Sequence, residues 1–366
     1  MLKRKSSYTL ISICLASCLL AASMVSAEPI MLETQGSYSV GGTTVTHDGE
    51  FSMEHFTAPE GQTAYGDHAY VFYQVPVNAR KLPMVFQHGA AQTKRTWETT
   101  PDNREGFQNL FLRRGFSIYL VDQPRRGEAG LSTVAPEADN PYAHNPMYAN
   151  RTLFTLPRLG IWPDLFPGSQ FPKDEESLNQ FMRAWTVDTG ALDFDIAADA
   201  MGKLFDKIGP AILVTHSMGG TIGWRTPLRT GNVKAIVAYE PGGSPFLFPE
   251  DGMPEPIPTA YGSVAAKPIP VKEFEKLTKM PIVIYYGDNI AAKPTTEVGP
   301  DQWRGELEMA KNFVKAVNDR GGDATLIHLP EIGIKGNTHF LMGDLNNVEL
   351  ADLLMKWFAE KGLDAR

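Results

Sequence analysis

The stretch "ILVTHSMGG", residues 212–220, ends an apolar, β-branched run at a serine and two glycines. A short run of this kind reads as a strand buried on both faces. Gly219 and Gly220 let the chain reverse at once into a helix, so the Ser217 hydroxyl stands exposed on a strained turn at the strand's C-terminal edge. Open α/β sheets bind their ligands at that edge. The helix that follows directs backbone N–H groups at the same point. The pattern departs from G-x-S-x-G only at Thr215, which stands where the first glycine is usual.

A hydroxyl becomes a nucleophile only when a base takes its proton and an acid orients that base. His339, in "IKGNTHFLMGDLNN", follows the last strand-like run and precedes the last helical one, which suits the base. His216 adjoins the serine, but neighbouring side chains leave an extended segment on opposite sides. His328 lies inside a strand and reads as packed core, while His47, His55, His68 and His144 read as surface or structural. Two acids fit equally by position: Glu240 ends "AIVAYE" on the run after the nucleophile strand, and Asp288 ends "PIVIYYGD" on the next. An oxyanion needs two backbone donors. Met218, after the serine, supplies one; Ala90, where Gly89 turns the chain after "PMVFQHG", supplies the other, with His88 bracing that loop or lining the pocket.

The elements that must hold these residues alternate along the chain. Extended runs occur at 68–77, 82–89, 116–124, 211–217, 233–241, 281–288 and 324–331, and "YSVGGTTVTHDGEF" reads as a hairpin around Gly41-Gly42. Helical spacing links Phe107, Leu110 and Phe111 after Asp102 as cap, and Ile196, Ala200, Leu204 and Ile208 before Gly209. It recurs at Leu307, Ala310, Val314 and Val317, and at Leu350, Leu354, Trp357 and Phe358. An antiparallel start followed by alternation predicts an α/β fold: a mostly parallel central sheet flanked by helices.

Two segments break the rhythm, 128–187 and 241–279, both rich in Pro, Gly and aromatics. Loops this long are usually functional. The apolar density of "LFTLPRLGIWPDLF" predicts a lid over the strand ends, lying within a single domain at 28–366.

Residues 1–27 read as an export signal: Lys3, Arg4 and Lys5, an apolar stretch, then "VSA" before Glu28. Its removal leaves 31 basic against 42 acidic residues, net −11, so nucleic acid is excluded as a partner. Both cysteines, Cys14 and Cys18, lie in this signal, which excludes a disulfide framework and thiolate catalysis. "LASC" at 15–18 matches a lipoprotein box at Cys18, but the apolar run continues where a polar tether belongs. No later stretch reaches the roughly 18 apolar residues of a membrane span. HExxH, CxxC and post-strand GxGxxG are all lacking, so no metal or organic cofactor is expected. Nothing in the chain fixes an oligomeric state, and a dimer is compatible with it.

"MVFQHGA", "PDNREGF", "VDQPRRGEAG", "THSMGG", "AYEPGG" and "GNTHF" followed by "DLNN" occur in order across residues 84–347. Together they resemble the bacterial esterase 713-like branch of the α/β-hydrolase superfamily. The resemblance implies a Ser-Glu-His triad with Glu after the sixth strand, which carries over Ser217, Glu240 and His339 and favours Glu240 over Asp288. That branch often has neighbouring cysteines after the His-Gly pair; Ala90-Ala91 stand here instead, which bears on loop rigidity. The expectation is an exported, periplasmic or secreted serine hydrolase acting on a small-molecule ester. Its rivals are a non-catalytic binding protein on the same scaffold, and a lactone, amide or carbon–carbon bond hydrolase or acyltransferase. Dehalogenase chemistry would need a carboxylate at position 217.

Overall fold

The computed structural model describes residues 28–134 and 149–366. The export segment with its two cysteines, His144, and residues 135–148 of the first insertion lie outside the described residues.

Eight strands form the main sheet: β1 (Leu32–Thr46), β2 (Thr63–Pro76), β3 (Met84–Gln87), β4 (Ile118–Asp122), β5 (Ala211–His216), β6 (Val233–Tyr239), β7 (Pro281–Tyr286) and β8 (Asp323–His328). Their spatial order is β1-β2-β4-β3-β5-β6-β7-β8. β1 and β2 pair antiparallel, as do β2 and β4, and every later pairing is parallel. The continuous apolar runs follow from this arrangement: all six residues of β5 are buried, because helices cover both faces of a parallel sheet.

Those helices include α1 (Phe107–Arg113), α2 (Asn150–Thr155), α3 (Glu175–Arg183), α4 (Phe194–Ile208), α5 (Gly219–Arg225), α6 (Val298–Asp319) and α7 (Asn347–Lys361). Asp193 caps α4 by accepting from the N–H groups of Asp195 and Ile196, and Gly209 ends it at φ 82°. On α6, Leu307, Ala310, Phe313 and Val317 are buried; on α7, Leu350, Leu354, Trp357 and Phe358 are.

Two local expectations fail. Gly41-Gly42 is no hairpin: β1 runs through it to Thr46, and the reversal lies at 47–62. Gly41, at φ 70°, instead lets α4 approach, since a Cβ there would sit 2.8 Å from the Ala200 Cα. Nor does Asp102 cap α1. Gly106 occupies that position, and Asp102 accepts from Thr100 Oγ1 and Arg104 Nε.

Candidate active site

Ser217 lies one residue beyond β5 with φ 53°, a conformation that a side chain with a Cβ adopts only under strain. The turn is held on both sides. Ser217 N–H donates to the Tyr239 carbonyl on β6 (3.0 Å), and the Ser217 carbonyl accepts from Gly220 N–H (2.9 Å). Glycine is required on each flank: a Cβ at Gly219 would come 2.4 Å from the His88 carbonyl, and one at Gly89 would come 2.7 Å from Ser217 Cβ. The loop after β3 is thus seated directly against the serine turn.

Among the described residues nine non-glycines have positive φ; Ala91, Arg158, Ser217 and Glu240 cluster at this sheet edge. Such strain costs about 1–3 kcal/mol per residue and persists where surrounding packing enforces it. Here the enforcement comes from the fully buried strand ends beneath.

Glu240 is wholly buried one residue beyond β6. Its Oε2 lies 3.1 Å from His339 Nδ1. Its Oε1 accepts from Arg158 Nη2 (2.7 Å) and from Gly287 N–H. Burial would raise the carboxyl pKa, but Arg158 and His339 outweigh it and hold the group at about 2. Since this carboxylate only accepts hydrogen bonds, His339 carries its proton on Nδ1 and leaves Nε2 as the basic nitrogen. Burial also lowers the pKa of His339 below the ordinary histidine value; Glu240 opposes that shift, and Arg158 reinforces it. The imidazole is therefore neutral at neutral pH.

Asp288, the other candidate acid, does not touch His339. Its carboxylate accepts from Gly336 N–H (2.8 Å) and Asn289 N–H (2.7 Å), bracing the start of the histidine loop. Asp344 braces the same loop from beyond, accepting from Asn337 Nδ2, Thr338 N–H and Thr338 Oγ1 at 2.8–2.9 Å. Burial pushes the Asp344 carboxyl up to about 7 despite those bonds. Arg104, from "PDNREGF", reaches the far end through Asn347 Oδ1 (2.8 Å) and the Asp344 carbonyl (3.1 Å).

The other histidines separate by position. His216 Nε2–H donates to the His339 carbonyl (2.9 Å), and its ring lies 4.4 Å from that of His339, centroid to centroid. It supports the histidine loop from below. His88 is fully buried, with Nδ1 2.9 Å from the Gly89 carbonyl and Nε2 accepting from Gln123 N–H. Burial lowers its pKa to about 4, so it braces the loop as a neutral ring. His328 is not core: it ends β8, half-buried, with Nδ1 3.1 Å from Glu331 Oε1.

Ser217, Met218, Ala90 and His339 line one cavity of about 600 Å³. Its walls are mainly apolar, with Leu153, Leu156 and Pro157 from the first insertion and Pro245 and Tyr261 from the second. Trp303 of α6 packs against His339 with ring centroids 4.1 Å apart and planes tilted by 35°, and its Nε1–H donates to the Leu156 carbonyl (2.7 Å). Behind this wall, Glu306 of α6 accepts from Gly243 N–H (2.9 Å), and burial pushes its carboxyl up to about 7. Arg126 contributes the cavity's cation and pairs with Asp188.

Arg158 and Trp303 were not legible as site residues. One signal for Arg158 existed: a lone arginine inside the apolar "LFTLPRLGIW" must find a partner wherever that run is buried.

The sequence model of the alpha/beta hydrolase family matches residues 84–308. The probable secreted lipase phiG of a fungus (Fungal sp. strain ATCC 74256) is 30% identical over 324 residues, covering 80% of this chain and 86% of the lipase. The atomic-resolution structure of a novel bacterial esterase superposes with a TM-score of 0.71 at 28% identity, covering 92% of this chain and 98% of the esterase. The chain belongs to the alpha/beta hydrolase family.

Proposed function

We propose that this protein is an exported serine hydrolase that cleaves carboxylic esters through Ser217, His339 and Glu240. The observation that carries this reading is the 3.1 Å contact between His339 Nδ1 and Glu240 Oε2, with the imidazole and Ser217 lining one cavity. The similar proteins named as a lipase and an esterase support the choice of ester.

In this reading Ser217 Oγ attacks the ester carbonyl carbon while His339 Nε2 takes its proton. Glu240 stabilises the resulting imidazolium, and the N–H groups of Ala90 and Met218 receive the oxyanion. Collapse of the tetrahedral adduct expels the alcohol, which takes its proton from Nε2. Water, deprotonated by the same nitrogen, then attacks the acyl-enzyme and releases the acid. The apolar walls suit an apolar acyl or alcohol group, and the insertions at 128–187 and 241–279 act as lids of a single domain. Export rests on residues 1–27 together with the secreted relative.

The test is covalent labelling. A fluorophosphonate should modify the peptide that carries Ser217, and Ser217→Ala should lose both labelling and p-nitrophenyl ester turnover while keeping its circular dichroism. Unchanged turnover in that variant refutes the reading.

A further inference from the structure

The Arg158 guanidinium is fully buried and does not line the cavity, yet it touches the machinery at several points. Nη2 donates to Glu240 Oε1 (2.7 Å), whose other oxygen faces His339, so one carboxylate bridges guanidinium and imidazole. Nε donates to the Asp288 carbonyl (2.9 Å), and the guanidinium carbon stands 5.1 Å from the centre of the Trp303 ring. The preceding residue binds the base as well: His339 N–H donates to the Pro157 carbonyl (2.9 Å). A two-residue segment of the first insertion therefore fixes both the acid and the base.

We infer that Arg158 is the positioning residue of this site: it keeps the Glu240 carboxylate ionised and aimed at His339, which makes the insertion part of the reaction centre. The inference rests on the proposed Ser217-His339-Glu240 reading. A carboxyl buried beside an imidazole alone would lower its desolvation cost by taking up a proton, and a neutral acid cannot stabilise imidazolium. The fixed guanidinium charge prevents this. The same charge opposes protonation of His339, so the base stays free to lower pH. Glu240 and His339 are surrounded by further ionisable groups: His216 at the end of β5, Tyr286 at the end of β7, Asp288 just beyond it, Glu306 on α6 and Asp344 after the histidine loop. Arg158 is the cation held against the carboxylate.

The experiment compares pH–rate profiles of wild type, Arg158→Gln, Arg158→Lys and Glu240→Gln, with thermal melts as a control for folding. In Arg158→Gln the acid limb of kcat/KM should move up by about one pH unit, which is about a ten-fold loss of rate on that limb. KM should stay within about two-fold, because Arg158 makes no cavity contact. Arg158→Lys keeps the charge and should return the limb to its wild-type position. In a Glu240→Gln background, Arg158→Gln should cause a smaller loss than in wild type, since only its direct effect on His339 remains. A limb unmoved in Arg158→Gln while Glu240→Gln is inactive overturns the inference and leaves the triad standing. An active Glu240→Gln overturns the triad instead. Should Arg158→Gln not fold, Arg158→Lys decides alone, and an upward-shifted limb in that variant refutes the charge argument.

Discussion

Ser217 and Glu240 occupy equivalent positions on neighbouring parallel strands: each stands one residue past its strand end, at φ 53° and 50°, with its N–H still bonded to the next strand over. The Ser217 N–H reaches Tyr239 on β6, and the Glu240 N–H reaches Tyr285 on β7 (2.8 Å). The sheet thus delivers both side chains to one edge by the same device, a last ladder bond followed by a left-handed turn.

The acid is decided by comparing Glu240→Gln with Asp288→Asn. Glu240→Gln should lower kcat by about 10⁴, the cost of losing the carboxylate that holds the histidine tautomer. Asp288→Asn should leave kcat within about ten-fold, since its carboxylate braces Gly336 and not the ring. Steady-state kinetics on a p-nitrophenyl ester separates them, and the reverse ranking rejects the assignment of Glu240.

Acid should destabilise the fold in two steps. Glu240 has a folded pKa of about 2 against an ordinary 4.5, so its contribution is full above the ordinary value and is lost as pH falls from 4.5 towards 2. The pKa of His339 is also lowered by burial; the unfolded chain takes up that proton near 6.5 while the folded chain resists it, and stability already declines below that pH. Melting curves from pH 8 to 3 should show both phases, with the Tm gap between wild type and Glu240→Gln narrowing below pH 4.5.

Glu306 should act with the opposite sign. Its folded pKa of about 7 lies above the ordinary 4.5, so its stabilisation is full below 4.5 and is lost as pH rises through 7, leaving a buried carboxylate. Wild type should lose more Tm than Glu306→Gln between pH 5 and 9. Parallel Tm profiles would contradict the shift.

Gly89→Ala tests the seating of the loop after β3. The added Cβ meets Ser217 Cβ at 2.7 Å, so either the loop or the serine turn must move. Displacing one oxyanion donor costs about 10²–10³ in kcat. That loss, with KM little changed and a folded protein by circular dichroism, is the expected result; wild-type kcat would show that the loop has no part in turnover.

The strands of the parallel sheet were legible because β-branched residues buried on both faces leave a continuous apolar run, as in "AILVTH". The serine turn was legible because Gly219 and Gly220 follow directly on a serine that ends a continuous apolar run, although Thr215 stands in place of the usual first glycine. The face of α4 was read less well. Spacing of exactly four advances 400° per step against a 3.6-residue turn, so Ile196 and Ile208 drift to half-buried flanks. The buried stripe instead runs through Ala197, Met201, Leu204 and Phe205. Gly41-Gly42 misled because two glycines suit a close helix approach as well as a hairpin. The pairing of Arg158 with Glu240 spans 82 residues and joins an insertion to a strand end, a contact that no local pattern encodes.

The hydrogen bond from His339 N–H to the Pro157 carbonyl bears on how this enzyme can be re-engineered. Grafting a lid from a relative is a common route to a new substrate range, on the premise that the cover and the engine are separable parts. Here the graft would replace Leu153 and Leu156, which line the chamber, in the same cut that removes the tether on His339, the base of the proposed triad. With the proposed triad, selectivity and turnover in this chain are tuned together, by single side chains facing the chamber and not by exchange of whole loops.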